Sequence, residues 1–357
     1  MEVKVQSDDL EYVVSTVRSY INSYETDVNP LYIRFYFFES DNPLLDENFD
    51  EIRKILVPSG YIPAVIKGPE NYIEVTRRPK ENYRSIYVNI IMLVLTLLST
   101  VYVGSIYAAS FVRPGPYYEF YKLLYGFVFF SLPLMFILGI HETAHYLVAR
   151  RYRVNASLPF FIPFPYIIGT FGAFVSLRDP IPDRKAMTEI GAAGPIAGFL
   201  ASIPLMFLAQ YFEKVIKPVN NVIPFQLNYP LIYKLFGIFE PVKVPVFPMV
   251  FAVWVGIFAT AMNLIPAGQL DGGHIVRGLL GSRAYILNYI FLGFLFYLAI
   301  VYNYLGWLFL ALFVIFLGLV HPPALNDYAR IKMRDVFIGI FCLLMFIITF
   351  TPLPIKP

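Results

Sequence analysis

The chain changes character near residue 85. Before that point apolar and polar residues alternate on the scale of single helices and strands. Beyond it, long runs without Asp, Glu, Lys or Arg follow one another towards the C-terminus. In the first stretch Leu10, Val13, Val14 and Val17 recur at helical spacing over 8–20, with Ser7 or Asp8 as N-cap. Residues 31–38 are aromatic and β-branched and predict a strand, and 46–56 predict a second helix stopped near Pro58-Ser59-Gly60. Residues 61–66 and 72–76 predict two more strands about a Gly68-Pro69 turn. The expectation is a small α+β head over 1–84, long enough to fold alone around a modest core. It contains no apolar run of signal-peptide length and no catalytic spacing, and it reads as a scaffold or docking domain of unassigned partner.

The second stretch predicts membrane spans over 85–112, 123–140 continuing through 149, 190–212, 245–270 and 336–351. The run 284–320 is 37 uncharged residues. As one helix it would measure roughly 55 Å, well beyond the thickness of a bilayer, so it splits, most simply at Tyr302-Asn303-Tyr304. That makes seven spans. The uncharged run 154–177 is excluded, because Pro159, Pro163, Pro165, Gly169 and Gly172 break a helix there. Non-helical backbone at membrane depth survives only where protein or a wet cavity surrounds it. This run therefore predicts a re-entrant segment or β-hairpin, and with it a cavity.

Composition agrees with a soluble head on a membrane domain: 57% of residues are hydrophobic and 15% charged, against about a quarter charged in a soluble domain. A net charge of +3 and the lack of a long basic block leave no nucleic-acid surface to expect. One cysteine, Cys342, cannot form an intrachain disulfide. With the N-terminus cytoplasmic, 15 Lys and Arg of the membrane domain fall inside, among them Arg77, Arg78, Lys80, Arg84, Arg150, Arg151 and Arg153. Seven fall outside: Arg113, Lys122, Lys214, Lys217, Lys234, Lys243 and Lys356. The bias predicts an integral, multi-pass cell-membrane protein with a cytoplasmic N-terminus.

The second span ends in His141-Glu142-Thr143-Ala144-His145. Histidines at i and i+4 share a helix face, so both imidazoles can reach one metal ion, with the intervening glutamate beside it as proton acceptor and donor. Three ionisable groups in five residues of a span are too costly to serve as mere packing. A catalytic zinc takes three protein ligands and keeps an open position. Asp271 is the only acid between Glu240 and Asp327. It reads either as the cap of a short helix starting near Gly272 or as the third ligand, and the pair of histidines favours the ligand.

HETAH at 141–145 and NLIPAGQLDGG at 263–273, with GTFGA at 169–173 and GPIAGF at 194–199 in order between them, resemble the site-2 protease family of intramembrane zinc metalloproteases. The resemblance covers roughly 86–280 and implies one zinc held by His141, His145 and Asp271, with Glu142 as general acid/base. It further implies that Asn263 positions the substrate carbonyl or its oxyanion. The 154–177 segment becomes a membrane-embedded hairpin presenting an edge to a single-span substrate, in regulated intramembrane proteolysis. The implied layout is a 1–84 head and an 85–357 protease domain with its core at about 123–280. The loop 213–244 is too short for the PDZ domains that bacterial members carry there. A membrane metal-ion transporter is the alternative, but it calls for several sites along a path where this chain has one cluster. Membrane proteases that trim prenylated peptides call for a later Glu ligand, and no Glu follows Glu240. His274 and His321 are expected at interfaces, Glu189 at a helix N-terminus, and Gly191, Gly194 and Gly198 in close helix packing.

Overall fold

The computed structural model describes residues 7–79, 85–220, 226–238, 245–319 and 321–356. Of the cations counted above, Lys80, Arg84 and Lys243 lie outside these residues, as does Glu240. The N-terminal stretch follows its alternation. Helix α1 (Ser7–Arg18) precedes strands β1 (Glu25–Val28) and β2 (Tyr32–Tyr36), and α2 (Leu45–Leu56) precedes β3 (Tyr61–Ile66) and β4 (Tyr72–Arg77). The sheet runs β1-β2-β4-β3, antiparallel throughout. Because side chains alternate along a strand, Ile33, Phe35, Ile73, Val75 and Val65 all face one side. There they meet Val13 and Val17 of α1 and Phe49, Ile52 and Leu56 of α2. Strand β1 was not expected, since Glu25-Thr26-Asp27-Val28 carries the charge typical of an edge strand rather than an apolar alternation.

A segment far along the chain completes this core. Leu325 is buried among the same residues, and its carbonyl accepts from Val65 N at 2.8 Å. Asn326 Nδ2 donates to Asp46 Oδ1 at 2.8 Å. Arg78 Nη1 lies 2.5 Å from Asp179 Oδ1, a second tie to the apolar part of the chain.

That part is mostly helical. In order it comprises α3 (Ile86–Ala108), α4 (Tyr118–Gly126), α5 (Leu132–Arg151), hairpin strands β5 (Phe160–Phe164) and β6 (Gly169–Phe174), and α6 (Arg184–Val215). There follow β7 (Gln226–Leu227), α7 (Leu231–Leu235), α8 (Pro248–Asn263), α9 (Asp271–Leu280), α10 (Ala284–Val301), α11 (Leu305–Leu317), α12 (Met333–Thr349) and β8 (Ile355–Lys356), which pairs with β7. Each of the seven expected runs contains a helix. Among the described residues, four continuous helical stretches are long and apolar enough to cross a membrane: Ile86–Phe111, Tyr118–Arg151, Arg184–Val215 and Asp271–Val301. Helix α8 has 16 residues and α11 has 13, roughly 24 and 20 Å at helical rise, shorter than the bilayer core. The run 284–320 divides at Tyr302-Asn303-Tyr304, where α10 ends and Asn303 takes a φ of 46°. The run 245–270 is not helical throughout; α8 stops at Asn263, and Pro266 and Gly268 (φ 56°) keep the chain irregular up to α9.

The proline-rich run forms the β5–β6 hairpin in place of a helix. Its register shifts between Phe161 and Pro163, because proline has no N–H to give the ladder. Helix α3 supports it: the turn residue Gly169 (φ 84°) lies so close to the Thr100 backbone that a Cβ would stand 2.8 Å from Thr100 Cα. Thr100 Oγ1 in turn sits 2.6 Å from Ser131 Oγ, joining α3 to the π-helical turn that links α4 with α5.

Candidate metal centre

Helix α5 carries His141 and His145 one turn apart, both buried. His145 Nδ1 is 2.7 Å from the carbonyl oxygen of Ile190 on α6. A carbonyl only accepts, so Nδ1 carries a proton, and in the neutral ring Nε2 presents its lone pair outward. That lone pair faces His141 Nε2 at 3.2 Å and Asp271 Oδ2 at 3.3 Å, and His141 Nε2 lies 3.1 Å from the same oxygen. Two imidazole nitrogens and a carboxylate oxygen thus converge as a donor set that could hold a metal ion. Zinc bonds of 2.0–2.1 Å in a tetrahedron place ligand atoms roughly 3.3 Å apart, the spacing seen here. The donor set fits zinc, and His145 and Asp271 also line the cavity described below.

Asp271 is the first residue of α9. The residue before it, Leu270, occupies the cap position without a side-chain cap bond, and the Asp271 carboxylate turns to the histidines. The capping alternative is thereby removed. The far end of α9 is held by Arg184, whose Nε and Nη2 donate to the Gly278 and Leu279 carbonyls at 2.8 and 2.5 Å. Those carbonyls lack partners within the helix, and the guanidinium supplies them. Arg277 adds an ion pair to Asp327 at 2.7 Å, fixing α9 to the same segment that enters the N-terminal core.

The contact between α5 and α6 explains the GPIAGF sequence. A Cβ on Gly194 would overlap His145 Nε2 and stand 2.7 Å from His141 Cδ2, so only glycine lets α6 pass over the imidazoles. Gly191 plays the same part towards α9, where a Cβ would stand 2.7 Å from His274 Cβ. The expected close packing is present, and what it packs against is the ligand cluster itself. Pro195, inside α6, has no N–H to return to the Gly191 carbonyl, which loosens the helix at this point.

Glu142 is 5% exposed and lines a cavity of about 790 Å³ with His145, Asp271 and Asn263. The backbone amide of Val175, directly after β6, faces its carboxylate. Phe171, Ala173 and Phe174 of β6 line the same space, and among the described residues no strand pairs with the side of β6 away from β5. Asn263, the last residue of α8, places Nδ2 3.4 Å from His141 Nε2. All five residues singled out in the sequence, His141, Glu142, His145, Asn263 and Asp271, come together although 130 positions separate His141 from Asp271.

Two expectations fail nearby. His321 does not sit at an interface: it is 5% exposed, and its ring packs edge-on against His274, centroids 4.2 Å apart, in the cavity wall. Glu189 is not at a helix start; it lies in the second turn of α6 and pairs with Arg334. The Ile190 carbonyl and the Val175 amide were invisible in sequence because backbone groups carry no residue signature.

The comparisons extend this geometry. Residues 129–300 match peptidase family M50. The chain is 34% identical over 190 residues to the probable zinc metalloprotease EGY1, chloroplastic, of Arabidopsis thaliana, covering 48% of this chain and 34% of that protein. It is 32% identical over 177 residues to the rice protein of the same name, covering 46% and 30%. It is 30% identical over 161 residues to the probable zinc metalloprotease EGY2, chloroplastic, of Arabidopsis thaliana, covering 43% and 29%. The chain spans about a third of the length of these curated relatives. The matched segment contains the whole cluster, and over it this membrane chain is similar to peptidase family M50, the site-2 protease family.

Proposed function

We propose that this chain is an intramembrane zinc metalloendopeptidase that cleaves peptide bonds within the spans of single-span membrane proteins. The observation that carries the reading is the triangle of His141 Nε2, His145 Nε2 and Asp271 Oδ2, with sides of 3.1–3.3 Å, in a cavity shared with Glu142. Nothing observed favours a transport path, since one three-ligand cluster is found among the described residues.

Zinc held by these three residues would polarise a peptide carbonyl and bring the pKa of a bound water to about 7. Glu142 accepts the proton of the attacking water and delivers it to the leaving amine, and its near-complete burial keeps that proton from bulk solvent. Asn263 Nδ2, on the edge of the cluster, donates a hydrogen bond where negative charge develops on the carbonyl oxygen. A helical substrate hides its carbonyls in its own ladder and must unwind. The unpaired side of β6 offers it main-chain partners in extended form beside Glu142.

In this reading α3, α4–α5, α6, α8, α10, α11 and α12 make seven spans, and the β5–β6 hairpin is re-entrant. Residues 1–84 form a cytoplasmic head and 85–357 the protease domain. The inner-side excess of Lys and Arg supports that orientation. His141 lies nine residues before Arg150, which sets the cluster roughly 10–15 Å inside the cytoplasmic face.

The test pairs metal content with cleavage. Purified protein is expected to hold one tightly bound zinc and to cut a single-span substrate. Glu142→Ala is expected to keep the zinc and lose at least about 10²-fold in rate. Cleavage at the normal rate by Glu142→Ala rejects Glu142 as the acid/base.

A further inference from the structure

The cavity wall holds a second pair of histidines that the cluster above does not use. His274 lies one turn beyond Asp271 on α9, and His321 lies beyond α11. Both line the cavity that contains Glu142. His274 Nδ1 is 3.1 Å from the Leu270 carbonyl oxygen, and His321 Nδ1 is 2.8 Å from that of Pro322. Each carbonyl can only accept, so both rings carry a proton at Nδ1, and in the neutral ring Nε2 is the nitrogen available as a ligand. His321 Nε2 is buried and has no hydrogen-bond partner among the described residues.

A buried imidazole nitrogen without a partner is costly, and that of His321 lies on a ring in contact with His274. The arrangement repeats the one at the cluster. There His141 and His145 meet at 4.9 Å between centroids and 64° between planes; here His274 and His321 meet at 4.2 Å and 75°. At the cluster a backbone carbonyl holds Nδ1 of His145, and here backbone carbonyls hold Nδ1 of both rings, the kind of contact that orients histidines for metal binding. Arg277, a positive charge felt at His321, is offset by Asp327 at 2.7 Å.

We propose that His274 and His321 form an accessory site for a first-row divalent cation, zinc or cobalt, bound through their two Nε2 atoms. Two imidazoles suit such a cation, and solvent in the cavity both residues line would complete its coordination. With two protein ligands in place of three, this site is weaker and more exchangeable than the His141–His145–Asp271 cluster. The inference rests on the metal centre above but needs no proteolysis.

The test is a titration of the metal-free full chain in detergent with Co²⁺, following visible absorbance and bound metal. Wild-type protein is expected to take two equivalents, the second at least 10-fold more weakly. His321→Gln and His274→Gln, each checked for a wild-type circular dichroism spectrum, are expected to take only the tight equivalent. Asp271→Ala is expected to lose the tight one. A single equivalent in wild type, two retained in both histidine variants, or both lost from either folded variant overturns the accessory site. Failure of the protease reading has a different mark: no tight equivalent that depends on Asp271.

Discussion

His145 donates its Nδ1 proton to the Ile190 carbonyl of α6 at 2.7 Å, and this one bond sets the direction of the ligand cluster. It fixes the tautomer, turns Nε2 towards His141 and Asp271, and makes helix α6 part of the metal site although α6 supplies no ligand side chain.

The same closeness makes Gly194 a sensitive position. A methyl group there overlaps His145 Nε2, and the rigid helix pair leaves it no room. Gly194→Ala is expected to weaken zinc binding at least about 10-fold while the helical circular dichroism persists, checked by zinc content against a competing chelator.

Removing the metal is expected to lower thermal stability. Without a cation, the His145 lone pair faces a carboxylate oxygen at 3.3 Å and a second imidazole nitrogen at 3.2 Å. Ligand binding to the folded state stabilises it by mass action. A melting curve with excess chelator should shift to lower temperature, and zinc should restore it; Asp271→Ala should show little shift.

Asn263→Ala is expected to keep zinc and lose about 10- to 10³-fold in kcat with a smaller change in KM, since a donor to developing charge acts on the transition state. Steady-state kinetics on a single-span substrate checks it.

Arg277 and Asp327 join α9 to the segment that enters the N-terminal core, and both are largely buried. Arg277→Met leaves the Asp327 carboxylate without its partner and is expected to cost about 3 kcal/mol. Adding Asp327→Leu is expected to recover most of that loss. Chemical denaturation of the two variants and of Asp327→Leu alone closes the cycle.

Much of the architecture was legible because its signals are local. The 3.6-residue spacing of Val13 and Val17, the alternation through Ile33 and Phe35, and the break at Tyr302-Asn303-Tyr304 each depend on neighbours in sequence. The His-Glu-x-x-His spacing was legible for the same reason, and Asp271 by the scarcity of acids around it. The His274–His321 contact and the entry of Leu325 into the N-terminal core were not, because they join distant segments. Strand β1 escaped because an edge strand is paired through its backbone and carries polar side chains. The sequence named Gly194 as a packing residue but could not say that its neighbours were the imidazoles.

The most direct test of the central claim is an anomalous difference map collected at the zinc edge on crystals of the zinc-loaded chain. A strong peak is expected about 2.0–2.2 Å from His141 Nε2, His145 Nε2 and an Asp271 carboxylate oxygen, beside the cavity lined by Glu142. A strongest peak elsewhere, or none at these three atoms in protein shown to contain zinc, would contradict it.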